Sequence, residues 1–429
     1  MCGIAGIYSQ KHPLERSWIT SMTNAMKHRG PDDEGYLAVE THARRATPLI
    51  GADSKVSGSS IDQYQKNAGL FLGHRRLSII DLSPAGHQPM PNSDQTLWLI
   101  YNGEIYNYLA LKEELKRLGY VFKTNTDTEV ILAAYEHWGK DCVKRFNGMW
   151  AFVIYDQRKN ILFGSRDRFG VKPFYYFLDD DHFAFASEIK ALIKMPFIKK
   201  EINQTAVYDF LTYELEEHHE ETFFKSIFEL FPGYSFEFNI NENLLTKWPY
   251  YTLSYENKWE KFDEKKLQGH VARVKELITE AVQLRLQSDV PVGTSLSGGI
   301  DSSGIVCLIN DILKKEKVAC VGERQKTFTA CYKDDASIDE SRWADLIIEK
   351  TKASGYKTFP DANGLLKDLE ELVYAQDIPF SSSRTYAQFQ VMRLASQNGI
   401  KVLLDGQGAD ELFAGYFPAH GFFFKEIFQ

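Results

Sequence analysis

The 429-residue sequence contains neither a CxxC pair nor any run of about 18 apolar residues. Its start also lacks the basic segment and long apolar stretch of a secretory signal peptide. The cysteines are odd in number and widely spread, which fits neither a disulfide framework nor a zinc site. We therefore expect a cytoplasmic protein that is neither exported nor anchored in a membrane. The five cysteines are Cys2, Cys142, Cys307, Cys320 and Cys331.

An excess of positive charge is also missing. The chain has 50 basic and 58 acidic residues, which gives a net charge of −8. Proteins that bind nucleic acids usually concentrate positive charge on one face, so we expect no nucleic-acid partner. The hydrophobic share of 44% and the charged share of 25% are those of an ordinary globular chain. The length predicts two or three domains.

The chain shows two different patterns of apolar residues. In its first part, short apolar runs alternate with turns and two helical segments, Tyr108 to Leu118 and Thr128 to Trp138, which predicts an α+β domain. In its second part, four strands alternate with loops and helices, which is typical of an α/β domain with a parallel sheet, here incomplete. We place the domains at residues 2–240 and 269–429, with a charged linker at 241–268.

Cys2 follows the initiator methionine, a position that is unremarkable by itself because most cysteines there would be incidental. It is a candidate nucleophile because it could have its general base within the same residue. Removal of Met1 would give Cys2 a free α-amino group, whose ordinary pKa of about 7.7 to 8.0 suits a general base near neutral pH. The thiol and the base would then belong to one residue, and no separate histidine would be needed.

Other residues have simple structural interpretations when each is taken alone. Asn102 and Gly103 could form a type I′ hairpin turn between two strands. Arg76 could be a surface arginine, and Asp127 could cap the helix that follows it. The segment from His28 to Gly35 could be a plain loop, and we give His28 only a supporting role.

Five ordered segments together resemble the class II glutamine amidotransferases. They read CGIAGIY, HRGPDDEG, HRRLSIID, YNGEIYN and TDTEV. The resemblance implies an amino-terminal-nucleophile fold, with stacked antiparallel sheets between helix layers, that hydrolyses glutamine to glutamate and ammonia. By this resemblance, Cys2, Asn102 and Gly103 would be catalytic, the last two as the oxyanion hole. The glutamine-binding residues would be Arg76 for the α-carboxylate, Leu77, Ser78, Ile79 and Ile80 along the pocket, Asn102 and Gly103, and Glu104 and Asp127 for the ammonium.

The second part contains a loop, SLSGGIDSSG, between a predicted strand and a predicted helix. Backbone N–H groups and the helix dipole would converge there on an anion. The loop has no Walker A lysine and no GxGxxG pattern, and it resembles the pyrophosphate loop of ATP pyrophosphatases. Asp301 alone could also be a carboxylate favoured by the helix dipole. The ATP-binding residues implied are Leu296, Ser297, Gly298, Gly299, Asp301, Ser302, Ala330, Asp405 and Gly406.

The two parts combined resemble the glutamine-dependent asparagine synthetase family. This resemblance implies that ATP adenylates the aspartate side chain and that ammonia then attacks β-aspartyl-AMP. Asp301 and Asp410 would hold Mg²⁺, and Gln407 would stand at a position linked to intermediate formation. The expected partners are glutamine, aspartate and ATP, with a homodimer as the assembly and no membrane.

Two features depart from the family pattern. Gln407 stands where many members have a glutamate, and Asp405 replaces a common serine. An amide cannot act as an acid or a base, so Gln407 can only form hydrogen bonds. The sequence also ends soon after AGY, and we expect a synthetase part that is incomplete. Three alternatives therefore stay open. They are amidation of another carboxylate, such as a sugar acid or peptide, glutaminase activity alone, and a non-catalytic binding protein.

Overall fold

The computed structural model describes residues 1–255, 260–332 and 337–427. The chain divides into two compact units, Met1–Lys258 and Trp259–Gln429. Because each unit has its own sheets and apolar clusters, the two are described in turn.

The first unit contains two antiparallel sheets. Its strands are β1 (Gly3–Ser9), β2 (Asp33–Glu40), β3 (Arg45–Ile50), β4 (Leu70–Arg76), β5 (Met90–Pro91), β6 (Leu97–Ile105), β7 (Gly148–Asp156), β8 (Ile161–Arg166), β9 (Tyr175–Leu178), β10 (His182–Ala186), β11 (Phe228–Glu229), β12 (Tyr234–Asn239) and β13 (Leu244–Pro249). One sheet has the order β11-β9-β10-β1-β4-β2-β3, and the other has the order β13-β12-β8-β7-β6-β5.

Aromatic and aliphatic side chains fill the space between these two sheets. Phe183 from β10 stacks on Phe238 from β12, with ring centroids 4.5 Å apart. The two strands belong to different sheets, so this pair joins the layers. Gly6 lies opposite Phe185 in the pairing of β1 with β10, and a side chain on Gly6 would collide with that ring. A glycine is therefore needed where the ring crosses the strand.

The described part of the first unit also contains helices, several of which pack on the two sheets. They are α1 (Arg16–Ala25), α2 (Tyr108–Arg117), α3 (Asp127–Trp138), α4 (Ile189–Leu192) and α5 (Gln204–Tyr213), with short 3₁₀ turns at Ile61–Gln63, Pro84–Gly86 and Gly139–Arg145. Helix α1 packs on β1 and β4, whereas α3 packs on β6. Both α2 and α3 agree with the predicted helical segments to within one residue. The predicted arrangement of stacked antiparallel sheets between helix layers is confirmed.

Strand β13 lies within the stretch 241–268, which the sequence analysis assigned to a linker. It pairs with β12 along its whole length, from Tyr234 opposite Pro249 to Asn239 opposite Leu244. The hairpin therefore belongs to the second sheet of the first unit. The same stretch also includes the beginning of the first helix of the second unit, at Glu264.

The second unit is built on a parallel sheet of four strands, as predicted. Its elements are α6 (Glu264–Arg285), β14 (Val292–Ser295), α7 (Ile300–Leu313), β15 (Lys326–Ala330), α8 (Ser341–Thr351), β16 (Ser354–Thr358), α9 (Ala362–Gln376), α10 (Arg384–Gln397), β17 (Val402–Leu404), α11 (Ala409–Phe413) and α12 (Phe417–Ile427). The strand order is β16-β15-β14-β17.

The sheet of the second unit is covered on both faces. Leu404 belongs to an apolar cluster with residues of α6 and α7, while its neighbour Leu403 packs in a cluster with Val391 of α10. Successive residues of a strand point to opposite faces, so the two clusters lie on opposite sides of the sheet. The order of the strands reverses at β14, where β17 pairs on the free side. In open α/β sheets, ligands bind beside such a reversal.

Candidate active sites

Cys2 lies immediately before β1, half-buried at the end of the first sheet. The pairing of β1 with β4 sets Gly3 opposite Arg75, which brings Cys2 close to the residues that follow β4. The Cys2 Sγ accepts a hydrogen bond from the backbone N–H of Leu77 at 3.3 Å. A thiolate at this position would thus have a backbone donor.

A pocket of about 560 Å³, including its open mouth, begins at Cys2. It brings together residues from the segment before β1, from β4, β6, β7 and α3, and from the connections between elements. Ser78 does not line it, and the backbone N–H of Ser78 instead donates to Asp32 Oδ2 at 2.9 Å. The predicted glutamine-site residues that line the pocket are Cys2, Arg76, Leu77, Ile79, Ile80, Asn102, Gly103, Glu104 and Asp127.

Asn102 and Gly103 lie inside β6 and are paired with β7, so the alternative of a hairpin turn is wrong. The Asn102 side chain is fully buried, yet neither its Oδ1 nor its Nδ2 has a hydrogen-bond partner among the described residues. A side chain on Gly103 would collide with the carbonyl oxygen of Met149. Buried amides are normally paired, because an unpaired one costs about 1 to 3 kcal/mol. This amide is therefore available to a ligand in the pocket.

Asp127 is the first residue of α3. The helix cap is Thr126, whose side chain accepts from the Glu129 N–H, so the proposal that Asp127 is the cap is wrong. Asp127 Oδ2 accepts from the Tyr101 hydroxyl at 2.8 Å and from the Ile105 N–H at 2.9 Å. Burial raises the pKa of the Asp127 carboxyl, although these hydrogen bonds act against the increase. The carboxylate is thus held rigidly in the wall of the pocket.

Arg76 is buried and not a surface residue. Its Nη1 donates to the Ser83 carbonyl oxygen at 2.8 Å, and its Nη2 donates to the carbonyl oxygens of Ile80 and Asp81. A side chain on Gly86 would collide with the guanidinium. Arg76 therefore organises the loop that follows β4 while it also lines the pocket.

The sequence analysis missed Lys172, which lines the same pocket. The loop before it is built around Asp167, which accepts from the Val171 and Lys172 N–H groups, each at 3.0 Å. Arg166 Nε donates to the Lys172 carbonyl oxygen at 2.9 Å. These buried contacts fix the backbone and leave the side chain in the pocket. The signal that could have found it is the segment SRDRFGVKP after β8.

Lys172 is only 6% exposed. Burial lowers its pKa to about 8, and the charge of Arg29 acts in the same direction. Glu104 and Cys2 oppose the decrease. A charged ammonium in this wall would favour negative charge on the Cys2 sulfur.

A buried group of charges holds the backbone of Cys2. Arg29 Nε donates to the Cys2 carbonyl oxygen at 2.9 Å, and its Nη1 contacts Glu188 Oε1 at 2.8 Å. Lys190 and His28 contact the same carboxylate, at 2.8 and 3.1 Å. Burial alone would raise the pKa of Glu188, but His28 and the two cations lower it to about 2. The supporting role given to His28 agrees with this arrangement.

The α-amino group of Met1 also lies close to buried cations, namely Arg29 and Lys172. Burial lowers the pKa of the Met1 α-amino group to about 5, with Arg29 and Lys172 acting in the same direction and Cys2 against them. Met1 precedes Cys2, so this amine stands one residue away from the predicted base. With this pKa, the Met1 α-amino group itself would be mostly neutral at physiological pH.

In the second unit, the predicted anion loop joins β14 to α7. Gly298 adopts a φ of +98°, a conformation that favours glycine, and Gly299 caps the helix. Ser302 Oγ accepts from the Ser297 N–H at 3.2 Å and lies 3.0 Å from Ser297 Oγ. The loop therefore folds back over the first turn of a 14-residue helix.

The loop after β17 meets this first loop. The position of a side chain on Gly406 would be only 2.8 Å from Asp301 Cβ and 3.0 Å from the Ser302 nitrogen. Burial raises the pKa of the Asp301 carboxyl, and Asp410 and Glu411 raise it further through their negative charges. The charge of Asp410 thus acts on Asp301, and these are the two residues predicted to hold Mg²⁺.

The remaining residues predicted at the nucleotide site have varied surroundings, from an exposed loop to apolar clusters. Asp405 Oδ1 accepts from the Gln407 N–H at 3.1 Å, so this carboxylate binds its own loop. The Gln407 side chain is exposed. Leu296 is buried in an apolar cluster with Val306 and Ala344, and Ala330 ends β15 beside the cluster that contains Phe328.

These features define the class of the chain. A cysteine behind the initiator methionine, in a pocket between stacked antiparallel sheets, is typical of an amino-terminal-nucleophile amidotransferase, and the second unit is an α/β unit with an anion loop. A family model described as a glutamine amidotransferase domain matches residues 1–58 and 55–251. A second, described as asparagine synthase, matches residues 273–425.

Curated relatives agree with both matches. A putative glutamine-hydrolysing asparagine synthetase of Methanocaldococcus jannaschii is 35% identical, over 97% of this chain and 76% of the relative. Asparagine synthetase 1 of Bacillus subtilis is 33% identical, over 97% of this chain and 59% of the relative. An amidase, chyE, of Penicillium rubens is 30% identical, over 91% of this chain and 53% of the relative. The chain belongs to the glutamine-hydrolysing asparagine synthetase family of ATP-dependent ligases, and it spans between about half and three quarters of these relatives.

Among solved structures, the glutamine phosphoribosylpyrophosphate amidotransferase of B. subtilis is similar, with a TM-score of 0.43 and 15% identity over 94% of this chain and 81% of that one. Within the described residues, no helix has both the length and the apolar composition needed to cross a membrane.

Proposed function

We propose that this chain hydrolyses glutamine at Cys2 and uses the ammonia to amidate a carboxylate at the second unit, with ATP as the energy source and aspartate as the first candidate substrate. The observation that carries the proposal is the buried Asn102 amide, which has no partner among the described residues and lines the same pocket as Cys2. An unpaired donor at this place suits the charge that develops on a substrate oxygen.

The first half-reaction needs only residues of the first unit. Once Met1 is removed, the free amine of Cys2 takes the thiol proton, and the sulfur attacks the side-chain amide carbon of glutamine. The resulting oxyanion accepts hydrogen bonds from the Asn102 side chain and the Gly103 N–H. The amine returns its proton to the leaving nitrogen, which departs as ammonia. Water then hydrolyses the thioester, so that glutamate is released and the thiol is restored.

The walls of the pocket offer charges of both signs for the amino-acid end of glutamine. Asp127 and Glu104 would bind the ammonium, and Arg76 would bind the α-carboxylate. Because burial raises the pKa of Asp127, the bound ammonium would also keep that carboxyl ionised. Leu77, Ile79 and Ile80 would contact the aliphatic part of the substrate.

The second unit has suitable groups for a nucleotide and its metal. The backbone N–H groups at the start of α7 would bind phosphate oxygens. Asp301 and Asp410 carry carboxylates, the ligand type that Mg²⁺ prefers, and burial together with the negative charges of Asp410 and Glu411 raises the pKa of Asp301. ATP would activate the carboxylate substrate, because AMP is a better leaving group than oxide. The glycine at position 406 lets the two loops approach closely.

A different carboxylate substrate is the second candidate. Gln407 cannot act as an acid or base, Asp405 binds its own loop, and one relative of this family is named an amidase. A sugar acid or peptide would change the second half-reaction and leave the first as it is. No disulfide joins the five cysteines, which all lie within the described residues, and this suits a reducing compartment such as the cytoplasm. Light scattering would test for a homodimer.

One assay tests this proposal. The amino terminus is first verified as Cys2 by mass spectrometry, and glutamate release from glutamine is then measured. Aspartate, ATP and Mg²⁺ are added next, and AMP and asparagine are quantified. Glutamate release with AMP and asparagine supports the first proposal, and AMP only with another carboxylate supports the second. The absence of glutamate from a chain that begins at Cys2 would refute both.

A further inference from the structure

Three potential metal ligands meet on the first unit, away from the Cys2 pocket. They are Asp209, His218 and His219, and one donor atom from each lies within 4.8 Å of the others. Asp209 belongs to α5, whereas the two histidines belong to the loop of residues 214–221 that follows it. The sequence pattern alone indicates a solvated acidic loop, and only the fold brings Asp209 to it.

The path of the chain explains this meeting. Helix α5 ends at Tyr213, and its C-cap Glu214 adopts the left-handed conformation with a φ of +57° and so turns the chain back. At the other end of the helix, Asn203 Nδ2 donates to the Thr222 carbonyl oxygen at 3.1 Å, and the Asn203 N–H donates to the Phe223 carbonyl oxygen at 2.9 Å. The loop therefore returns along the helix from its last residue to its first, and Asp209 lies midway.

The distances suit a shared ion. His218 Nε2 lies 3.0 Å from Asp209 Oδ2, and both side chains are mostly buried. Two ligands that are each about 2.1 Å from a metal are separated by roughly 3.0 to 3.4 Å in octahedral or tetrahedral geometry. The His219 ring centroid lies 4.2 Å from that of His218, and His219 is exposed, so that rotation of its side chain can complete the set.

The charge and the type of the ligands select the kind of ion. The loop reads ELEEHHEE, with five glutamates around the histidine pair, and Lys247 contacts Glu220 at 2.6 Å. This negative segment attracts cations, while two imidazoles and one carboxylate favour zinc, nickel or copper over magnesium. We propose that Asp209, His218 and His219 bind a divalent cation of the late first transition row, such as Zn²⁺, which fastens the loop to α5.

The test uses the full chain without a polyhistidine tag, stripped of metal with a chelator. Titration calorimetry with Zn²⁺ and elemental analysis should show one ion per chain. The double variant His218→Gln, His219→Gln should lower the affinity about 100-fold or more, since loss of outer-shell contacts alone costs 10- to 100-fold. In the same chain, Zn²⁺ should slow cleavage of the loop by a glutamate-specific protease, and the double variant should lose this protection.

Three controls make the outcome decisive. His270→Gln, at an exposed position of α6, should keep the affinity of the parent chain. Asp209→Asn retains a hydrogen-bonding group at position 209 but removes the anionic ligand, so it should also weaken binding if the double variant proves unstable. Co²⁺ bound here should give a spectrum without thiolate absorption, which separates this site from the cysteines. No uptake of Zn²⁺, or equal uptake and protection in the double variant, would overturn the proposal.

Discussion

The two units of this chain differ in how far their candidate sites are enclosed. In the first, Cys2, Asn102 and Asp127 line one pocket, and the last two are buried. In the second, Ser297 and Gln407 are exposed, and Ile300 at the start of α7 is 90% exposed. Buried polar groups hold their geometry because their neighbours fix them, whereas exposed loops have fewer constraints. We therefore expect the glutaminase chemistry to depend on the first unit alone.

The strongest test of this difference is Cys2→Ala. Without the thiol there is no nucleophile, so glutamate release from glutamine should fall by about 10⁴-fold or more. With ammonium as the nitrogen donor, AMP formation by the second unit should stay at the level of the parent chain. The measurements are glutamate release and AMP formation on the same preparation.

Two further variants serve as controls for Cys2→Ala. Cys307→Ala, which removes a half-buried thiol of α7, should leave glutamate release intact. Asp301→Asn should give the reverse pattern, with reduced AMP formation and unchanged glutamate release. If Cys2→Ala lost both activities, the two units would not be chemically separate.

A smaller effect is expected from Lys172→Met. The pKa of Lys172 is about 8, so its ammonium is charged below that pH and loses its charge as the pH rises through it. If this charge favours the Cys2 thiolate, Lys172→Met should lower kcat/KM for glutamine about tenfold at pH 7. Lys172→Arg keeps the charge, so its activity should persist above pH 8, where that of the parent chain declines.

Lys112→Met provides the matched control for this prediction. Lys112 is also buried, but it donates to the Thr124 carbonyl oxygen and does not line the pocket. Its replacement should leave the pH profile for glutamine unchanged. Identical pH profiles for Lys172→Met, Lys172→Arg and the parent chain would show that Lys172 only fills space.

A third effect concerns stability in acid and not catalysis. The pKa of Glu188 is lowered from 4.5 to about 2, so its contribution is fully present above pH 4.5 and is lost as the pH falls towards 2. Glu188→Gln should therefore lower the urea midpoint at pH 7, by an amount equivalent to about 3 kcal/mol. The gap between variant and parent should narrow at pH 3, and a constant gap would contradict this reading.

At Asp301, the contribution of the ionised carboxylate to stability should have the opposite sign, which sharpens the contrast between the units. A raised carboxyl pKa means that the ionised group costs stability at neutral pH and that protonation relieves the cost. Asp301→Asn should thus stabilise the second unit slightly at pH 7, and the gain should shrink in acid. Urea unfolding curves of the variant at the two pH values measure this.

The sequence alone was sufficient for the order of the elements and for the central nucleophile. Apolar periodicity located α2 and α3 within one residue and predicted the four parallel strands of the second unit. Ordered motifs indicated Cys2 and most residues that line its pocket. These are local features, and a pattern repeated every two or every 3.6 residues reports local structure directly.

The tertiary structure alone decided which distant residues meet. It placed Asn102 in a strand and not in a turn, because β6 pairs with β7 nearly 50 positions later in the chain. It added β13 to the first unit through its hairpin with β12, and it brought Lys172 to Cys2 across about 170 positions. Strand pairing and burial depend on contacts between remote segments, which no local pattern records. Cys2 could thus be recognised from the ordered motifs around it, but the charge of Lys172 in its pocket could not.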